Sequence, residues 1–194
     1  MSTHFLRLLA LGASDVVGHS LPDPARDAWP VVLTKLLPGP PRLKRMGLSG
    51  ARAADLRARF LAAAIADRPD LAVVWTGVND CIQQVPLPAF RADFDALVGG
   101  LRGAGTEVWV VNLPDVERLP AFQAWSAMLG PIVRAWQVAV REVAAAHGAR
   151  VIELAPHTLE LADTPDLLGP DGFHPSAAGH RRLAAIFAVA IAAR

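Results

Sequence analysis

Ser14 lies in LALGASDVVG, residues 9–18, where an apolar run breaks into small residues. A hydroxyl at such a strand-to-helix turn serves as a nucleophile when a base is within reach. The same hydroxyl can instead cap the helix that follows. A candidate base comes from the far end of the chain. In LLGPDGFHPSAAGH, residues 167–180, Asp171 precedes His174 by three residues in a glycine- and proline-rich turn. That separation lets the carboxylate fold back on the imidazole, fix its tautomer and leave the other ring nitrogen as a base. Pro175 is expected at the first position of the last helix, with His174 at its mouth. The alternative is an Asx turn followed by a capping histidine.

Acyl transfer also needs donors aimed at the oxygen on which charge develops. Gly47, in RMGLSG, offers a backbone N–H that a ligand can approach closely. Asn79, in GVND, offers a side-chain NH2. Each also fits a plain turn or helix cap. Asn112 and Trp125 are candidates for the wall of a substrate pocket, although Asn112 also suits a turn and Trp125 a core. His4, His19, His147, His157 and His180 read as surface or capping residues, with His19 able to approach the same rim. No His, Asp or Glu cluster has metal-ligand spacing, and no glycine-rich phosphate loop is present.

The elements that must position these groups follow a regular alternation. Strands are expected at 5–12, 42–48, 71–77, 106–114 and 149–154. Helical spacing of apolar residues marks 28–37, the stretch ending at Pro69, 86–105, 125–147 and the chain from about 176. Most of the strands are apolar throughout rather than alternating, as in a parallel sheet covered on both faces. Ligands gather at the carboxyl ends of such strands. Ser14, Gly47, Asn79 and Asn112 each follow a different strand there.

Composition excludes several classes. The chain has 194 residues, 53% of them hydrophobic, and a net charge of +1. This suits one domain over 1–194 with a large core and gives no footprint for nucleic acid. One cysteine, Cys81, allows no internal disulfide. Arg7 interrupts the short N-terminal apolar run, so a strand is expected rather than a signal peptide. LAAIFAVAIAA, near the C-terminus, falls short of the about 20 residues of a membrane span. A cytoplasmic location is the expectation, with the oligomeric state open.

Four blocks, LALGASDVVG, MGLSG, GVND and DGFHPSAAG, together resemble the SGNH (GDSL-type) hydrolase family in order and spacing. The resemblance implies a three-layer α/β/α flavodoxin-like fold on a five-stranded parallel sheet. It implies a serine esterase that cleaves small or medium carboxylic esters without metal or other cofactor. Ser14 matches the family's nucleophile, His174 its base and Asp171 the residue orienting that base. Ser14, Gly47 and Asn79 match its oxyanion hole. The chain departs from the family at Ala13, where the family has aspartate, and at Arg45, where it often has asparagine. An acyltransferase using the same acyl-enzyme, or a binding module on the same fold, are the alternatives.

Overall fold

The computed structural model describes residues 7–39, 41–164 and 166–193. The expected strand start at residues 5 and 6, and His4, lie outside them. The first strand, β1, runs Arg7–Gly12, followed by β2 (Arg42–Gly47), β3 (Leu71–Trp75), β4 (Glu107–Val111) and β5 (Arg150–Ile152). All pair in parallel, in the order β2-β1-β3-β4-β5. The crossovers place the later strands on one side of β1 and β2 on the other, so the direction of winding reverses at β1. Clefts form outside the strand ends at such a reversal.

Successive side chains on each strand take opposite faces. Leu9, Leu11, Ala72, Val74, Val108 and Val110 pack on one side. They meet α4 (Ala53–Ala66), α6 (Leu87–Gly103) and α7 (Ser126–Ala146), through residues such as Leu56, Phe94 and Val140. Leu8, Ala10, Val73, Trp75, Trp109 and Val111 pack on the other. There they meet α3 (Trp29–Leu36) and α9 (Ala177–Ala192), through Trp29, Leu33, Leu183 and Phe187. Two apolar faces on central strands explain why these strands read as unbroken apolar runs. β2 differs: it is an edge strand and shows Arg42, Lys44 and Arg45 to solvent, the usual protection of a free edge.

Short helices fill the loops at the carboxyl rim: α1 (Ser14–Val17), α2 (Pro24–Asp27), α5 (Val78–Ile82) and α8 (Thr158–Asp163). None is long enough to form alone. His180, expected at a surface or cap, is fully buried in α9, and its Nδ1 accepts the Trp29 N–H at 3.1 Å. It therefore caps α3 from across the fold.

Candidate active site

The turn after β1 is set by a close backbone approach. A Cβ on Gly12 would stand 2.4 Å from the Trp75 carbonyl oxygen of β3, so only glycine lets the two strands come together here. The chain then turns at Ala13 and enters α1 at Ser14. Ala13, not Ser14, occupies the capping position, and no side chain caps this helix. The serine hydroxyl is free of that alternative. Its Oγ lies 3.1 Å from His174 Nε2.

His174 is held by a braced loop. Leu168 and Pro175 form an antiparallel bridge. The Gly169 N–H donates to the His174 carbonyl at 2.7 Å, and the Ser176 N–H donates to that of Leu167 at 2.9 Å. The Ser176 hydroxyl donates to the Asp166 carbonyl and accepts the Gly179 N–H at 3.1 Å, which makes Ser176 the cap of α9. Pro175 thus lies outside the helix, correcting the expectation that it opens it: its ring is placed by the bridge to Leu168.

Asp171 folds back as its spacing suggests. Its Oδ2 is 2.6 Å from His174 Nδ1, and its Oδ1 accepts the N–H groups of Phe173 at 3.0 Å and His174 at 2.9 Å. Partial burial raises the carboxyl's pKa, but the hydrogen bonds from the His174 ring and from these two N–H groups outweigh it and hold it below the usual carboxylate range. The rings of His19 and Phe173 flank the imidazole, each with its centroid 4.6 Å away.

Asn79 sits in the first turn of α5, entered through Gly77 at φ +109. Its Nδ2 donates to the Ala51 carbonyl at 3.0 Å, which orients the amide and leaves its second hydrogen for a ligand. Neighbouring Asp80 turns away and accepts the Ala53 N–H, with both oxygens at 3.1 Å, at the start of α4. Burial pushes its carboxyl up to about 6.

Gly47 does not join this group. The Leu48 N–H donates to the Gly12 carbonyl, and N–H groups alternate sides along a strand. The Gly47 N–H therefore points to the open edge of β2, away from Ser14. The turn at 48–51 does border the cleft, through Ala51. It closes with the Ala51 N–H on the Leu48 carbonyl at 3.0 Å, with Gly50 at φ +76, a type II pattern. The Gly50 N–H bonds no described residue, and neither does the Ser14 N–H. Whether the Gly47 N–H faces β1 or the open edge depends on strand register, which spacing alone does not show.

Ser14, Asn79 and His174 line one cavity of about 60 Å³, together with Asp15, Trp75, Thr76, Ala51 and apolar residues such as Leu161 and Phe173. Asp15, Trp75 and Thr76 were not among the expected site residues. The only signal for Asp15 is its place next to the serine. Asn112 lies outside this lining and is fully buried. Its amide donates to the Gln137 carbonyl at 3.3 Å and to Glu153 at 2.9 Å, and its oxygen accepts the Leu113 N–H. It ties β4 to α7 and cannot reach a substrate in the cleft. Trp125 is 54% exposed over a separate apolar groove of about 610 Å³, lined by Cys81, Phe122, Met128 and Trp136 among others. Phe122 meets Phe173 edge-on at 5.2 Å, so groove and cleft adjoin.

Among the described residues, no group of His, Cys, Asp or Glu is placed to hold a metal ion. No helix among them is long and apolar enough to cross a membrane.

The fold is shared with solved structures at low identity. The esterase EstA from Pseudoalteromonas sp. superposes with a TM-score of 0.79 at 16% identity, covering 96% of each chain. A variant of the acetyl-xylooligosaccharide esterase Axe2 from Geobacillus gives 0.78 at 22%, covering 96% of this chain and 94% of that one. A lipase/acylhydrolase from Enterococcus faecalis gives 0.76 at 20%, covering 96% and 95%. No curated protein matches in sequence. The family model of GDSL-like lipases and acylhydrolases matches residues 10–182. The chain therefore belongs to the GDSL-like lipase/acylhydrolase family.

Proposed function

We propose that this protein hydrolyses short-chain carboxylic esters through an acyl-Ser14 intermediate. One observation carries the reading: the unbroken chain Asp171–His174–Ser14, with contacts of 2.6 Å and 3.1 Å, at the mouth of an apolar cavity. A helix cap and an Asx turn have no need of that chain.

In the first half-reaction Ser14 Oγ attacks the ester carbonyl carbon while His174 Nε2 takes its proton. Asp171 stays ionised and holds the imidazole by its Nδ1–H. The carbonyl oxygen becomes an oxyanion and is met by the Asn79 NH2 and the N–H groups of Ser14 and Gly50, the last replacing Gly47. As the tetrahedral adduct collapses, His174 returns the proton to the leaving alkoxide and the alcohol departs. Water then attacks the acyl-serine, giving a proton to His174. Collapse frees the acid, and the proton passes back to Ser14 Oγ. No metal enters any step.

The small cavity, about 60 Å³, suits a short acyl group. The neighbouring groove by Phe122 and Trp125 suits an apolar alcohol portion.

The test pairs Ser14→Ala with an active-site label. The wild type should react with a fluorophosphonate and turn over p-nitrophenyl acetate, and Ser14→Ala should do neither while keeping the wild-type circular dichroism spectrum. Normal turnover by that variant would refute the assignment. Product analysis with competing alcohols separates hydrolysis from acyl transfer.

A further inference from the structure

Asp15, Trp75 and Thr76 line the cleft, and each carries a buried polar side-chain atom, Oδ2, Nε1 and Oγ1 respectively, with no hydrogen-bond partner among the described residues. Trp75 and Thr76 are more than nine-tenths buried. Asp15 directly follows the nucleophile; Trp75 ends β3 and Thr76 comes next, just before the Asn79 turn. The rest of the lining is mostly leucine, proline, valine and phenylalanine. Interiors seldom leave polar atoms unpaired, because each costs about 1–3 kcal/mol. Three around one small cavity, beside a reactive serine, indicate a lining built for a polar guest.

Their chemistry limits what that guest is. An indole N–H only donates, a threonine hydroxyl does both, and a carboxyl accepts when ionised and donates when protonated. A purely apolar acyl chain leaves all three unpaired. An ammonium group finds the indole N–H turned against it. A hydroxyl can accept from the indole and donate to the carboxyl or the threonine. Burial pushes the Asp15 carboxyl up to about 7, so it is available in either form near neutrality.

We infer that the acyl pocket selects a short acyl group bearing a hydroxyl, recognised by Asp15, Trp75 and Thr76. This rests on the ester hydrolase reading above and specifies its substrate class. A pocket built to hydrogen-bond a substrate hydroxyl discriminates strongly against the analogue lacking it, because its own polar groups are then stranded.

The experiment measures acid release by pH-stat titration for two matched pairs: ethyl lactate against ethyl propionate, and ethyl 3-hydroxybutyrate against ethyl butyrate. The wild type should favour the hydroxylated member of at least one pair by about 10-fold or more in kcat/KM. Thr76→Val keeps the shape and Trp75→Phe keeps an aromatic ring while opening some space; each removes one partner and should shrink the preference within both pairs about 5-fold. A misplaced nucleophile would slow both members alike and leave the ratio untouched. Equal rates within both pairs in the wild type overturn the inference and leave the hydrolase reading standing. A higher rate on alanine ethyl ester than on any of the four assigns the pocket to a cation and overturns it as well. No turnover of any ester and no fluorophosphonate labelling sink both readings together. If the variants do not fold, the wild-type ratios alone decide.

Discussion

The Asp171 carboxylate divides its two oxygens between jobs: Oδ2 meets His174 Nδ1 at 2.6 Å while Oδ1 takes the backbone N–H groups of Phe173 and His174. One side chain thus fixes both the position of the base and the place of its proton. Asp171→Asn separates these roles. An amide oxygen can still accept the two N–H groups, but an amide NH2 facing Nδ1 favours the wrong tautomer. We expect kcat to fall about 10²–10⁴-fold with the fold intact, read by steady-state kinetics beside a melting curve. A melting point lowered in proportion to the loss would make Asp171 a structural brace instead.

Asn79 lines the cleft with one amide hydrogen held by the Ala51 carbonyl and the other unpaired among the described residues. Asn79→Ala should lower kcat about 10²–10³-fold and change KM little, because an oxyanion donor acts mainly in the transition state. A rise in KM at constant kcat would show that the amide binds substrate instead.

Gly179, five positions beyond His174 in the first turn of α9, sits against the loop that holds the base. A Cβ there would lie 2.0 Å from the Leu167 carbonyl oxygen and 3.0 Å from the Pro175 ring. Gly179→Ala must push the 167–176 loop outward, carrying His174 away from Ser14. We expect loss of most activity together with about 1–3 kcal/mol of stability, measured by esterase assay and urea denaturation. Wild-type activity in this variant would mean that the loop is not what sets the Ser14–His174 distance.

His180 predicts an acid-sensitive fold. Burial, and to a smaller extent the nearby His174, push its imidazole down to about 4, against some support from Asp27. Its Nδ1 accepts the Trp29 N–H, so protonation there also breaks a helix cap. The unfolded chain takes up this proton as pH falls through about 6.5, and the folded chain resists until about 4. Stability is therefore full above pH 7 and drains away between those values, by about 3 kcal/mol at about 1.4 kcal/mol per pH unit. Asp15 and Asp80, both raised by burial, act in the opposite sense over much of this range. The informative quantity is thus the difference between wild type and His180→Gln, followed by denaturation at several pH values. That gap should narrow steadily towards pH 4; a constant gap would refute the assignment.

Much of the scaffold can be read from the residues because its physics is periodic. Strands such as LAVVW declare themselves by being apolar on both faces, and long helices such as α6 and α7 by their apolar spacing. The four short rim helices could not be read, since tertiary contacts rather than propensity create them. The pairing of Ser14 with His174, 160 positions apart, could be expected because the Asp171–His174 spacing is local and the strand-end rule is general. Gly47 was misplaced because its N–H direction depends on register with β1. Asn112 is withdrawn from the cleft by the Gln137 carbonyl of α7 and by Glu153, and Trp125 lies on the adjoining groove, neither of which a linear pattern reveals. Asp15 could not be read because a linear pattern does not show that its Oδ2 is buried without a partner.

The lone cysteine has a practical consequence. Cys81 is buried in α5, and burial, then the charges of Asp80 and Glu117, push its thiol up to about 11. Near neutral pH it is almost entirely a thiol, and a thiol is a poor nucleophile towards maleimides and other alkylating reagents. A cysteine introduced on the surface, beside the groove at Met128 for example, would then be the site that takes a spin label or a dye, with the native residue left silent.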